Sequence, residues 1–161
     1  MPRYAEVRHL EWIAAPQDVV RAQFADLDHH IAQDVHPKLR LQVLQRGADA
    51  VRYRQEVRLL GLRQVDVFER RFGRDGGFVD QAVEGFNRGG SLQFSFLPQP
   101  RDGRAGTQVE IVVRLPLPPL VGPLLRPLLE AQVRREVAAA AREDVVDIEQ
   151  RGYPRAHLKA A

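Results

Sequence analysis

From Val51 to Leu59 the chain alternates without a lapse, Val51, Tyr53, Gln55, Val57 and Leu59 interleaving with Arg52, Arg54, Glu56 and Arg58. A period of two places the first set on one face of a β-strand and the arginines on the other, whereas a helix would scatter both round its axis. Leu39, Leu41 and Val43 precede it with the same period, and Gly47, Ala48 and Asp49 make the turn between. Further runs at 62–72, 78–84 and 91–97, and the alternating set Val109, Ile111, Val113 and Leu115, are separated by Gly61, by residues 73–77, by 85–90 and by a loop at 98–106. Short connections of this kind predict an antiparallel meander, and the glycine-containing loops are turns, since none opens a helix as a phosphate cradle would.

Helical signals lie only at the two ends. Residues 4–14 read as a first strand. Pro16 then suits the first helical position and Asp18 the positive end of the helix dipole, with Val20, Phe24 and Leu27 along one face. A further helical turn or two is expected before Pro37. Near the C-terminus, Pro116, Pro118, Pro119, Pro123 and Pro127 punctuate a leucine-rich stretch that cannot be regular helix throughout. After Pro127, Leu128, Leu129, Val133, Val137, Ala140, Ala141, Val145 and Ile148 recur at helical spacing, with Gly152 as the stop. The spacing predicts a final helix of about 20–25 residues.

The order of elements is α+β: a curved antiparallel sheet of about seven strands must wrap around the long C-terminal helix to bury both apolar faces. At 161 residues the chain fits one domain, expected over 1–153 with 154–161 as a flexible tail. The absence of cysteine excludes disulfides, thiolate metal sites, iron–sulfur clusters and cysteine nucleophiles. Ser91 and Ser95, the only serines, sit in a strand without a nucleophile elbow. No apolar run reaches the length of a membrane span, and Arg3, Glu6 and Arg8 interrupt the start where a signal peptide is apolar, so the expected location is the cytoplasm. The pI near 9.8 comes from arginine, for only Lys38 and Lys159 are lysines, yet the net charge is just +3 and the arginines are dispersed. Nucleic acid is therefore not an expected partner.

With that element order, the segment Ala14-Ala15-Pro16-Gln17-Asp18-Val19-Val20 entering the first helix and the long final helix, the chain resembles the START-like, or SRPBCC, superfamily. This group includes birch-pollen-allergen-like proteins, polyketide cyclases and coenzyme Q-binding proteins. The resemblance covers nearly the whole chain and implies a helix-grip fold with an apolar cavity between sheet and final helix, binding a lipid, polyketide or isoprenoid-like molecule without a cofactor. Candidate ligand contacts are Tyr53, Gln55, Asp66, Phe68, Phe94 and Phe96. The aromatics equally suit a solid core. Gln55 shares its strand face with apolar residues, where an amide needs either a neighbouring strand residue or a ligand as partner. A cyclase or aromatase reading would have Tyr53, Asp66 or a histidine move protons next to a carbonyl.

Asp26, Asp28, His29, His30, Asp34 and His36 form the densest cluster of ionisable groups. Two imidazoles and a carboxylate can hold Fe(II) or Zn(II). Asp26, His29 and His36, with the segment from Glu143 to Tyr153, resemble in part the mononuclear-iron domain of Rieske oxygenases, although no choice of histidines reproduces its full spacing. That likeness implies His29, His36 and Asp144 as metal ligands. A solvated helix–loop surface with capping carboxylates accounts for the same residues. Finally, the stretch from Leu115 to Leu129 holds Arg126 as its one charge, which suits a lid packed over the open end of the sheet, a membrane or partner contact, or a homodimer interface.

Overall fold

The structure, a computed structural model, describes residues 3–154; of the expected tail, all but Pro154 lies outside the described residues. The chain forms β1 (Tyr4–Ile13), α1 (Gln17–Ala25), α2 (Leu27–Ala32), β2 (Arg40–Arg46), β3 (Ala50–Leu59), β4 (Leu62–Phe72), β5 (Phe78–Gly85), β6 (Ser91–Pro98), β7 (Thr107–Pro116) and α3 (Gly122–Val145), which runs into a π-helical turn at Val146–Gln150. All neighbouring strands are antiparallel in the order β1-β7-β6-β5-β4-β3-β2. The meander is as the alternation predicts. β1 joins its far side by pairing with β7 from Tyr4↔Pro116 to Ile13↔Thr107. This makes β1 and β2 the two edges, and the α1–α2 pair spans the connection between them. The inner face of the curved sheet and α3 enclose the main core, in which Val7, Ile13, Val20, Val109, Val113 and Ala141 are almost fully buried.

Two helix boundaries differ from expectation for local reasons. The first helix breaks at Asp26, whose backbone (φ −85°, ψ 80°) leaves helical geometry while its Oδ1 accepts the His29 amide at 2.9 Å. One residue thus ends α1 and caps α2. At the other end, α3 begins at Gly122, well before Leu128. Pro123 falls in the first turn, where an N–H has no helical partner, and Pro127 removes a single bond near the helix start. Bonds from Gly122 N–H to the Pro118 carbonyl (2.8 Å) and from Leu125 N–H to the Val121 carbonyl (3.0 Å) hold this start. Gly152, with φ at +76°, follows the π-helical turn as the expected glycine stop.

The inner face of β4 is polar. Gln64, Asp66, Phe68 and Arg70 are buried, while Val65 and Val67 look outward and are half-buried. Arg70 forms a fork on Asp80 of β5, Nε to Oδ1 at 2.7 Å and Nη2 to Oδ2 at 2.8 Å, and its Nη1 donates to the carbonyls of Phe24 and Ala25. The Tyr53 hydroxyl donates to Asp80 Oδ2 at 2.6 Å, and the guanidinium lies 4.1 Å from the Phe78 ring centroid. Every strong group in this network has a partner, the condition for a charge pair to be tolerated in a core. Replacing Asp80 by Ala leaves the arginine charge unpaired and is expected to lower stability by about 3–5 kcal/mol. Tyr53→Phe, which removes one hydrogen bond, is expected to cost about 1–2 kcal/mol. Urea denaturation with an unchanged m-value checks both.

Candidate functional site

Between the inner sheet face and α3 lies a cavity of about 200 Å³. β3 contributes Tyr53, Gln55, Val57 and Leu59 to its wall, β4 contributes Asp66 and Phe68, and β6 contributes Leu92 and Phe94. From α3 come Val133, Val137, Ala140 and Asp144, while Lys38, Leu39 and Leu41 border it at the start of β2. Of the six expected contacts, Tyr53, Gln55, Asp66, Phe68 and Phe94 are on the wall. Phe96 is not: it packs edge-on to Phe24 with centroids 5.5 Å apart and belongs to the solid core.

The polar members of the wall are in different states. The Tyr53 hydroxyl is held by Asp80, as described. Asp66 accepts the Asn87 amide on Oδ1 (2.6 Å) and the Asn87 side-chain amide on Oδ2 (2.8 Å), and Asn87 also donates to Gln64 Oε1. Gly85 permits this approach, because its φ of +108° and its closeness to the Val65 carbonyl exclude a side chain. Gln55 faces Asp66 across the β3–β4 register and makes no side-chain hydrogen bond among the described residues. Sequence reasoning missed Asn87, which sits in a turn, and Arg70 and Asp80, although Arg70 shares its parity along β4 with Asp66.

A second feature adjoins the cavity where α2 and the 33–39 segment meet the end of α3. His30 Nε2 lies 3.1 Å and His36 Nε2 3.4 Å from the same Asp144 Oδ1. The other nitrogens are anchored outward, His30 Nδ1 at 2.7 Å from the Asp26 carbonyl and His36 Nδ1 at 2.7 Å from Glu143 Oε2. His29 points elsewhere, with Nε2 2.6 Å from Asp147 Oδ2. The structure therefore groups His30, not His29, with His36 and Asp144, and one ligand atom from each of the three lies within 4.8 Å of the others. The adjacent histidines point differently because α2 turns by about 100° per residue. Nor is the cluster a solvated surface, for His30, Asp144, Asp147 and Gln23 are all buried. Gln23 Nε2 donates to Asp144 Oδ1 (3.0 Å) and Asp147 Oδ2 (3.2 Å), leaving its Oε1 buried without a hydrogen-bond partner.

Charge dominates here. Burial opposes protonation of His36, but the carboxylate of Asp144, by charge and hydrogen bond, and that of Glu143 raise its pKa to about 10. Burial likewise opposes ionisation of Asp144, and His36 and His30 overcome it, holding the carboxyl well below the usual range. A histidine whose pKa is raised on folding contributes stability in full below its unfolded pKa of about 6.5 and loses it as pH rises through its folded value. In metal-free buffer, stability is thus expected to decline from about pH 6.5 to about pH 10. Denaturation midpoints across that range check this, with His36→Gln expected to flatten the decline.

No protein-family model and no curated protein matches the sequence. Solved structures do. The chain is similar to TTHA0849 from Thermus thermophilus, with 22% identity and a TM-score of 0.75 over 89% of this chain and 99% of that one. It is similar to the Zhui aromatase/cyclase from Streptomyces sp. R1128, with 19% identity and a TM-score of 0.72 over 92% and 98% of the two chains. A START superfamily protein from Mycobacterium smegmatis aligns at 18% identity with a TM-score of 0.66 over 87% and 96%. Identity at this level speaks to architecture alone: the chain has a helix-grip fold, which it shares with these structures.

Proposed function

We propose that the protein binds a small hydrophobic molecule in the cavity, with a hydrogen-bonding group of the ligand meeting Gln55. The observation that carries this reading is the Gln55 amide, placed on a largely apolar part of the wall without a protein partner among the described residues. An amide in that position gains most from a ligand with a carbonyl or hydroxyl. The space of about 200 Å³ exceeds the roughly 150 Å³ that accommodates benzene in an engineered core and falls short of a drug-sized pocket, so the bound part is a single ring or short chain. The aromatase/cyclase among the similar structures supports the reading at the level of ligand class. Binding is favoured over proton transfer by Tyr53 or Asp66, whose oxygens are directed to protein partners; of the histidines, His30 and His36 border the cavity with their Nε2 atoms turned to Asp144. An environment-sensitive apolar dye is expected to bind with one-site stoichiometry. Ala140→Phe, which fills the cavity from α3, is expected to weaken it at least about tenfold, and Gln55→Leu to discriminate against carbonyl-bearing ligands while sparing hydrocarbons. Dye binding unaffected by Ala140→Phe overturns the assignment.

A second reading rests on the grouping of His30, His36 and Asp144: the cluster holds a divalent cation such as Fe(II) or Zn(II). The separations of 3.1 and 3.4 Å between Asp144 Oδ1 and the two Nε2 atoms match the roughly 3.0–3.4 Å between ligands that share an ion at about 2.1 Å. Both Nδ1 atoms face acceptors, the arrangement that presents Nε2 lone pairs to a metal, and Gln23 Oε1 is an unpartnered acceptor beside the set. A bound cation would supply a Lewis acid at the cavity wall. Because His36 must lose a proton to bind it, affinity rises with pH. Elemental analysis of untagged protein and the thermal shift on adding Zn(II) or Fe(II) test this. His30→Gln is expected to abolish both signals, and less than about a tenth of an equivalent after reconstitution overturns the reading.

A further inference from the structure

The leucine-rich start of α3 remains outside both readings. Leu120 is 93% and Leu124 83% exposed, and Leu128, one turn beyond Leu124 on α3, is also exposed. These three stand in solvent, whereas Leu115, Leu117 and Leu129 of the same stretch pack against the core. Phe86, in the β5–β6 turn, is exposed at the same end of the sheet, since β5 ends, β6 starts and β7 ends there (Ser91 pairs with Arg114, Tyr4 with Pro116). The β3–β4 turn is at this end too and is tied to α3 by the Leu60 amide donating to Gln132 Oε1 at 2.6 Å.

Charge distinguishes the occupants such a surface could receive. The carboxylates Glu6, Glu56 and Glu130 at this end each lie within ion-pair distance of an arginine. Arg58 and Arg88 are exposed with no carboxylate partner among the described residues, against Glu84 as an exposed carboxylate in the same state. The stretch from Leu115 to Leu129 holds no acidic residue. The exposed side chains project from a helix start and a turn, and a fluid bilayer interface receives such a set without a shape match. Arginines with no carboxylate partner at the same end of the sheet are complementary to anionic headgroups.

We propose that this end of the molecule docks on an anionic phospholipid surface, with Leu120, Leu124, Leu128 and Phe86 entering the interfacial region and Arg58 and Arg88 facing lipid phosphates. No helix among the described residues is long and apolar enough to cross a membrane, and the attachment proposed is peripheral. The docking face is distinct from the cavity wall, and its test does not depend on ligand binding.

Co-sedimentation of the full chain with phosphatidylcholine vesicles, with and without phosphatidylserine, tests the assignment. The protein is expected to partition onto the phosphatidylserine-containing vesicles and to be released by salt. Leu120→Asp with Leu124→Asp is expected to reduce partitioning at least about tenfold while leaving the melting temperature and dye binding unchanged, since both side chains are solvent-exposed. Arg58→Ala with Arg88→Ala is expected to remove most of the dependence on phosphatidylserine, roughly 10- to 30-fold. Absence of partitioning onto either vesicle overturns the proposal, as does partitioning insensitive to the leucine substitutions. So does light scattering that shows a dimer dissociated by those substitutions, which would assign the face to a second copy of the chain.

Discussion

The fork between Arg70 and Asp80 is the constraint on which the centre of this molecule depends. It joins β4 to β5, takes in β3 through Tyr53, and reaches α1 through the carbonyls of Phe24 and Ala25. Those carbonyls belong to the last turn of α1, where a helix has acceptors without internal donors. The guanidinium thus satisfies a helix end and a buried carboxylate together. Breaking off α1 at this point brings Asp26, and with it the start of α2, to the position from which His30 and His36 meet Asp144.

The two functional features adjoin one another and differ in physical character. The wall formed by β3, β6 and α3 is largely apolar with one uncommitted amide, suited to a ligand recognised by shape and a single hydrogen bond. The histidine–carboxylate cluster is dense in charge, its members oriented by Gln23, Glu143 and the Asp26 carbonyl. Because His36, Glu143 and Asp144 also border the cavity, a ligand long enough to leave the apolar wall arrives at this cluster.

The strand meander and the final helix are legible in the sequence because each hydrophobic period persists through several turns of chain. The clearest case is β3, where every inward residue is at the expected parity. Alternation alone misleads in β4, since Val65 and Val67 look like the core set while Gln64, Asp66 and Arg70 are the residues inside. Their partners come from other strands and turns, Asp80 and Asn87, so no local pattern announces that the polar face is the satisfied one. Choosing between His29 and His30 is similarly beyond spacing, because adjacent residues on a one-and-a-half-turn helix diverge in direction and only the placement of α3 decides which meets Asp144. The start of α3 is obscured by Pro123 and Pro127, which the first turns of a helix accept more readily than its interior.

The π-helical turn at Val146–Gln150 gives the C-terminal segment one residue more per turn than an α-helix would use. Residues in and after the turn are committed: Glu149, within it, accepts the Ala14 amide at 2.9 Å, and the Tyr153 hydroxyl, after it, donates to Asp26 at 2.8 Å. Winding the same five residues as α-helix, at about 100° per residue, would over-rotate the side chains that follow and part both contacts. The width of this one turn therefore sets the direction from which the end of the chain returns to Ala14 and Asp26.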